Sequence, residues 1–308
     1  MNGQPQNMHM DVFISHSSKD LKTAERVQKL LSAVHLEAWL DTYQIRLGVL
    51  LRKELQTAIR KSKSLVLIWS RHAAHSRWVA AEILTAFHLK RPIICYSCDE
   101  TPLPYFLQNS VFLTPKVPSK TMEAMLLRSI TSKQRKATVA IPVRESHSDE
   151  QLAVIGSLTE GQERLFNSMK DRKTKELTTM QKALDNMQQT ALKQWPKDAT
   201  ILNLAGYHYK NAYMLKYWDD LQAGLPPKDK LLEKAERYFF DALFGNPLDA
   251  SALNGLGSIL IYERDYEAAA FFIRKAIALA AKEGIDYTAA KHDLAQIIWL
   301  LDPPKVAR

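Results

Sequence analysis

Residues 65–83 read LVLIWSRHAAHSRWVAAEI, and this stretch decides the fold class of the N-terminal half. Its first five residues, Leu65 to Trp69, form an apolar run typical of a buried strand, and the polar loop Ser70 to Arg77 follows. The rest predicts a helix on which Trp78 and Glu82 share one face, because residues i and i+4 are neighbours on a helix surface. A carboxylate in a helix that follows a strand lies where open α/β sheets usually bind ligands.

The flanking sequence repeats this alternation of strands and helices. Further strands are predicted at Asp11–Ser15, Leu36–Leu40, Pro92–Tyr96 and Val111–Leu113, and helices at Asp20–Val34, Leu50–Lys61, Trp78–Leu89 and Lys120–Ser132. Apolar strands that alternate with helices indicate a parallel sheet covered on both faces. We therefore expect a doubly wound, flavodoxin-like α/β domain with a five-stranded parallel sheet.

The chain of 308 residues suits two domains better than one. Residues 1–10 are polar and are interpreted as a flexible leader before a domain at 11–135. A stretch rich in Lys, Ser, Thr and Glu indicates a linker at 136–155. Strand signals are absent from 156–308, which predicts an all-helical domain, with residues 160–195 helical throughout.

The helical half repeats itself. Residues 196–203, PKDATILN, match residues 247–254, PLDASALN, and Gly206 and Gly257 fall at the same register. The spaced positions Ala235, Phe239, Ala242 and Pro247 are echoed by Ala269, Ile273 and Ala276. The pattern resembles the tetratricopeptide repeat (TPR), whose period is about 34 residues, with an insertion at Lys216–Pro227 between two paired helices. A plain helical bundle is the alternative.

The charge and the cysteine content limit the ligands that the protein can attract and the compartment in which it works. The formal net charge of +9 falls entirely within residues 1–135, which fits attraction of a nucleic acid or of a small anion such as a dinucleotide. The basic residues are scattered singly, which disfavours nucleic acid. The two cysteines, Cys95 and Cys98, are interpreted as buried free thiols rather than a disulfide framework, which points to the cytoplasm. No membrane-length apolar run and no signal core are present.

Four segments carry a family resemblance. They are DVFISHSSKD at residues 11–20, the segment Trp39-Leu-Asp41 with Ile45 and Gly48, Ser70 with Ser76, and WVAAEI at residues 78–83. In this order and spacing they resemble the Toll/interleukin-1 receptor (TIR) domain of the prokaryotic, NAD-hydrolysing type. The resemblance covers about residues 10–135 and implies that Glu82 is the catalytic glutamate and that NAD+ is a substrate rather than a bound cofactor.

The implied chemistry needs only one carboxylate. Cleavage of the nicotinamide–ribose bond leaves an oxocarbenium-like ribosyl centre, as in glycoside hydrolysis. Nicotinamide departs as a neutral molecule from a pyridinium, so no general acid is required. Glu82 can stabilise the cationic centre and bind the ribose hydroxyls.

The predicted NAD+ contacts have structural alternatives. They are Ser15, His16, Ser17, Trp39, Asp41, Gly48 and Trp78. Ser15, His16 and Ser17 leave the first strand at its carboxyl end, where hydroxyls and N–H groups can meet phosphates, but Ser17 can equally cap a helix. The two tryptophans can wall the pocket or pack in the core, and Asp41 can simply fix its loop. The histidines match no metal-ligand spacing, so no metal is assigned.

Three functions follow from these features. The first is an NAD+ glycohydrolase or ADP-ribosyl cyclase, activated by assembly of TIR domains into a homo-oligomer through the helical repeats, in bacterial anti-phage immunity. The second is a non-catalytic adaptor that binds other TIR domains, or peptides on its repeats. The third is a deoxyribosyltransferase-like activity on nucleotides. Many relatives carry an aromatic residue two positions after the loop glycine, where this chain has Leu50.

Overall fold

The computed structural model describes residues 11–40, 57–108, 110–113, 116, 119–132, 146–169 and 174–301. The predicted leader, the candidate residues Asp41 and Gly48, and residues 136–145 of the predicted linker lie outside these ranges. The chain divides into two compact units, Met1–Ile141 and Pro142–Arg308, and each has its own core.

The first unit is built on a parallel sheet. Its strands are β1 (Val12–Ser15), β2 (Ala38–Leu40), β3 (Ser64–Trp69), β4 (Ile93–Ser97) and β5 (Val111–Leu113). They pair in the order β2-β1-β3-β4-β5, and every pairing is parallel. All residues of β1, β3 and β4 are buried, as expected for strands covered on both faces. The predicted α/β class is confirmed.

Helices cover the two faces of this sheet. They are α1 (Leu21–Ser32), α2 (described at residues 57–61), α3 (Arg71–Ala74), α4 (Arg77–His88) and α5 (Ser119–Thr131). Side chains of a strand alternate between faces. Val12 and Ile14 therefore join the core under α1 and α5, whereas Ser15 turns to the opposite face and meets α4.

The segment predicted as a polar loop after β3 contains the one-turn helix α3. Ser70 begins it, because its side-chain oxygen accepts hydrogen bonds from the backbone N–H groups of His72 and Ala73, both at 3.1 Å. Ser76 then caps α4 through the Val79 N–H. Two serine caps thus replace the predicted loop with two successive helix starts.

The second unit is all-helical over its described residues. Its helices are α6 (Asp149–Met169), α7 (Thr174–Gln194), α8 (Ala199–Lys216), α9 (Trp218–Gln222), α10 (Lys230–Gly245), α11 (Ala250–Tyr262), α12 (Tyr266–Lys282) and α13 (Thr288–Leu301). Within the described parts of both units, no helix is long and apolar enough to cross a membrane.

Two sequence predictions are corrected here. Residues 149–155 belong to α6 and not to a linker, because the Ser148 hydroxyl accepts from the Gln151 N–H and two acidic residues open the first turn. Residues 160–195 are not one continuous helix. α6 and α7 instead pack on each other through a shared core that includes Leu165 and Leu184.

The two matching segments of the internal repeat begin their helices in the same way and make similar close contacts. Asp198 and Asp249, at matching positions of the repeat, cap α8 and α11 by accepting backbone N–H bonds. α8 packs on α10 where Gly206 faces Phe239, and α11 packs on α12 where Gly257 faces Ile273. The predicted insertion at Lys216–Pro227 begins at the last residue of α8, ends before α10 and contains α9. The assignment to TPR repeats stays a prediction.

Candidate functional site

The strand order places a crevice at the carboxyl ends of β1 and β3. From β1 the chain moves outward to β2, and it then returns to the other side of β1 to form β3 and β4. Such a reversal of strand order opens a gap outside the carboxyl ends of the two strands, which is where doubly wound sheets bind ligands. The segments that follow β1 and β3 meet at this gap.

Glu82 lies beneath this edge in the middle of α4. Ser15, the last residue of β1, donates a hydrogen bond from Oγ to Glu82 Oε2 at 2.6 Å. Both side chains are buried, with Glu82 only 4% exposed. A hydrogen bond of this length to a carboxylate is charge-assisted and fixes the orientation of the acceptor.

A second hydroxyl–carboxylate pair joins the two loops of the crevice. Ser70, directly after β3, donates from Oγ to Asp20 Oδ2 at 2.6 Å. Asp20 ends the 3-10 turn that follows β1, and Ser17 caps that turn by accepting from the Lys19 N–H. The loop after β1 is therefore held to the loop after β3 by a side-chain bond.

A basic cleft of about 490 Å³ opens beside these loops. It is lined by Ser17, Ser18, Lys19, Arg71, His72, His75 and Ser76. The lining holds the lysine and arginine cations and no carboxylate. An anion with several oxygens can pair there with Lys19 and Arg71 and accept from the serine hydroxyls.

The structure brings together some of the predicted contacts and separates others. Ser15 and Glu82 form one buried pair, and His16 is buried next to them in sequence at 1% exposure. Ser17 lines the cleft, although its hydroxyl also caps the turn. Glu82 is not among the residues that line the cleft.

The two predicted tryptophan contacts are packed and only partly buried. Trp39 stacks on Phe13, with ring centroids 5.0 Å apart and planes inclined by 17°. The parallel pairing of β1 and β2 sets these two residues side by side. Trp78 lies in the first turn of α4 under the Arg77 guanidinium, 5.9 Å from the ring centroid. Packing on Phe13 accounts for Trp39, and the Arg77 guanidinium covers one part of the Trp78 ring.

The sequence did not predict several contacts of this region. The pairing of Asp20 with Ser70 and the meeting of Lys19 with Arg71 depend on contacts across about fifty positions. One signal was available. In a doubly wound sheet the segments that follow the two strands at the reversal of strand order meet, which places the segment after β1 beside the segment after β3.

The described residues offer neither a metal-binding cluster nor a reactive thiol. They contain no group of three or more His, Cys, Asp or Glu side chains arranged to hold a metal ion. Burial raises the pKa of the Cys95 thiol to about 12 and that of Cys98 to about 11. Both thiols are therefore protonated and poorly nucleophilic near neutral pH.

Comparison with known proteins identifies the first unit. A family model of the TIR domain matches residues 12–125, which span the sheet and all of the crevice described above. No curated protein and no solved structure matches the chain. The helical unit lies beyond the matched segment. On the sequence match and the parallel α/β fold together, residues 12–125 are a TIR domain.

Proposed function

We propose that the TIR domain cleaves the nicotinamide–ribose bond of NAD+ and that Glu82 is its catalytic residue. The observation that carries the proposal is the buried Ser15–Glu82 pair. It lies at the edge of the sheet where the strand order reverses, beside a cleft lined with cations. Departure of nicotinamide leaves a cationic ribosyl centre, and a carboxylate beside that centre stabilises it.

The bond changes are simple. The C1′–N bond breaks, and its electron pair neutralises the pyridinium, so nicotinamide leaves as a neutral molecule. Glu82 stabilises the positive charge that develops at C1′. Attack by water gives ADP-ribose and releases one proton, whereas attack by a nucleophile on the same molecule gives a cyclic product.

The basic cleft suits the other end of the substrate. The pyrophosphate of NAD+ carries two negative charges, and Lys19 and Arg71 line the cleft together with the hydroxyls of Ser17 and Ser18. In this proposal the partly buried ring of Trp78 walls the nicotinamide. His16 and Trp39 support the site from the buried side.

Assembly is proposed to control the activity. Glu82 is almost fully buried and already hydrogen-bonded in the single chain, which fits a low basal rate. Assembly of TIR domains into a homo-oligomer then completes the site, and the helical repeats gather the chains or hold a protein or peptide ligand. Tethering of this kind raises the effective concentration of the domains. Defence of a bacterial cell against phage is the setting that the resemblance implies.

The first test is NAD+ consumption by the full-length protein at high concentration with a crowding agent, followed by chromatography of the products. We expect turnover in the wild type and a loss of about 10²–10³-fold in kcat for Glu82→Gln, because an electrostatic stabiliser of the transition state is removed. Glu25→Gln, at an exposed position of α1, is the matched control and keeps full activity. Equal turnover by Glu82→Gln and wild type would refute the assignment.

Assembly is tested by the dependence of rate on protein concentration. If neighbouring TIR domains complete the site, the turnover per chain rises with concentration and with crowding. A turnover per chain that stays constant over a hundredfold dilution, with a monomeric mass throughout, contradicts control by assembly.

A non-catalytic adaptor is the second candidate. The observation in its favour is the same burial of Glu82, since a carboxylate bonded to Ser15 can serve structure alone. If the protein is an adaptor, Asp41→Ala and Gly48→Ala, in the loop predicted from the sequence, abolish association with TIR partners, while Glu82→Gln has no effect on that association. Loss of NAD+ turnover in Glu82→Gln favours the enzyme over the adaptor.

A further inference from the structure

The last helix of the helical unit exposes an apolar end. α13 packs on α11 and α12 and buries Ala290 and Ile297. The side chains of residues 298–301, which read IWLL, are nevertheless each between 43% and 57% exposed. No charged residue occurs in the sequence from 294 to 301. Four large apolar side chains in succession at a surface indicate a site of association.

Trp299 is the most exposed of the four, at 57%. Successive residues of a helix are about 100° apart, so Trp299 lies nearly opposite the fully buried Ile297. Ala295, one turn earlier on the same side, is exposed as well. Trp299 therefore points away from the helices on which α13 packs, and a further surface is needed to cover its ring.

A narrow groove lies between α6 and α7, the first two helices of the unit. It measures about 310 Å³, and its apolar walls are Val154 of α6 and Met187, Ala191 and Trp195 of α7. The described residues that line it include no charged side chain. The volume is at the lower limit of the roughly 300–1,000 Å³ typical of small-ligand sites, so the groove suits a single bulky side chain.

The groove opens on the side of α7 that faces away from α8. Asp185 and Gln188 of α7 make hydrogen bonds to α8. Met187 and Thr190 each stand two positions later, which is about 200° further round the helix. Both line the groove and both are exposed, Met187 at 39%. The groove is therefore accessible from outside the stack of helices.

The helical unit thus has an apolar surface at each end of its series of helices. Arrays of helical repeats usually end in helices with a polar outer face. Here one end projects an indole ring and the other is concave, and both lack charge. Aromatic side chains are enriched and charges are depleted in the cores of protein interfaces. One contact between unlike ends covers both surfaces, whereas a pairing of α13 with α13 leaves the groove uncovered.

We propose that Trp299 of one chain inserts into the α6–α7 groove of a second copy, so that the chains associate head to tail. Such a contact leaves one free end of each kind in every complex, and association therefore continues into an open array or closes into a ring. Four half-exposed side chains cover less than the about 800 Å² per partner of a stable complex, so each contact is weak and depends on concentration.

The head-to-tail contact names the surface by which the helical units gather chains. In that role it rests on the control by assembly proposed above. The contact itself is tested by mass and needs no turnover. Association through TIR domains alone would leave the proposed function standing while this contact fails, so the two failures are distinguishable.

Sedimentation velocity of the full-length protein over a hundredfold range of concentration is the first test. We expect the mass of the wild type to rise with concentration and to pass that of a dimer. Trp299→Glu and Met187→Glu place a charge on one surface each and should weaken association at least tenfold. Leu225→Glu is the matched control, because Leu225 is 62% exposed and belongs to neither surface. A monomeric wild type, or association that both surface variants retain, overturns the proposal.

Mixing the two variants tests the direction of the contact. Trp299→Glu keeps an intact groove and Met187→Glu keeps an intact α13, so an equimolar mixture should form a 1:1 dimer and nothing larger. Trp299→Phe keeps an aromatic ring and should still associate. Self-association by Met187→Glu alone, without a dimer in the mixture, would show symmetric pairing of α13 and contradict the proposal. Where circular dichroism shows that a glutamate variant is unfolded, Trp299→Ala and Thr190→Arg replace the pair.

Discussion

At the scale of single residues, the TIR domain contains a carboxylate that the fold has removed from water. Glu82 is 4% exposed, and the hydroxyl of Ser15 reaches it from a strand 67 positions away. A buried carboxylate is costly unless hydrogen bonds replace its hydration. The pair therefore links folding stability to the candidate active site through one short bond.

Ser15→Ala tests this link. Loss of a hydrogen bond to a buried charged group is expected to lower the free energy of unfolding by about 1–3 kcal/mol. Urea unfolding of the TIR domain measures it. The control is Ser129→Ala, because Ser129 makes only an exposed bond to the Met125 carbonyl one turn back on its helix. Equal effects of the two substitutions would show that burial of the Ser15–Glu82 bond adds nothing.

At the scale of elements, small residues set how closely the paired helices approach. A Cβ on Gly206 would lie 2.6 Å from Cδ1 and Cε1 of the Phe239 ring, closer than atoms can pack. A Cβ on Gly156, in α6, would meet nothing within 4 Å. The same substitution therefore has opposite consequences at the two positions.

Gly206→Ala is expected to destabilise the helical unit by about 1–3 kcal/mol, because α8 and α10 must move apart. Gly156→Ala is expected to stabilise it by up to about 1 kcal/mol, since alanine is the better helix former and no neighbour is disturbed. Urea unfolding followed by helical circular dichroism measures both. A stabilising Gly206→Ala would mean that the α8–α10 contact is looser than described.

A capping residue makes the stability of α10 depend on pH. Asp229 accepts from the Leu231 N–H at 2.7 Å and from Lys216 and Tyr217. The hydrogen bond from Lys216 is the largest cause that lowers the pKa of Asp229 to about 2. A carboxylate with a lowered pKa contributes stability above its ordinary pKa near 4, and that contribution is lost as the pH falls through about 2.

Asp229→Ala should therefore cost about 1 kcal/mol at pH 7, the usual value of an N-cap. The difference from wild type should shrink as the pH falls from 4 towards 2. Asp229→Asn keeps a capping oxygen and should lie between the two. Urea unfolding of the helical unit at stepped pH values measures this, and a difference that is independent of pH would contradict the role of the charge.

At the scale of the whole molecule, the chain is two units with separate cores and unequal charge. The core of the first unit is the sheet with α1 and α5, and that of the second includes α6, α7 and α8. The excess positive charge lies in residues 1–135, and the remainder is neutral. A unit with its own hydrophobic core is expected to fold alone.

The fragment 146–308 tests this independence. It should show a helical circular dichroism spectrum and unfold cooperatively in urea. Its midpoint should match one of the transitions of the full-length chain. A fragment that is unfolded, or that unfolds without cooperativity, would show that the helical unit needs the TIR domain.

The sequence by itself determined the alternation of strands and helices, the two-part organisation, the match of residues 196–203 with 247–254 and the shared helix of Trp78 and Glu82. These features follow from periodicity and capping signals that act over a few residues. The same local signals failed at residues 149–155, where linker-like composition hid a helix start.

Only the tertiary structure decided that Ser15 binds Glu82, that Ser70 binds Asp20, and that Val154 and Met187 line one groove. The two hydrogen-bonded pairs span 67 and 50 positions of sequence. Their partners are set by strand order, by the face to which each side chain turns and by helix packing. None of these is written in the spacing of residues along the chain, because each depends on how distant elements come together.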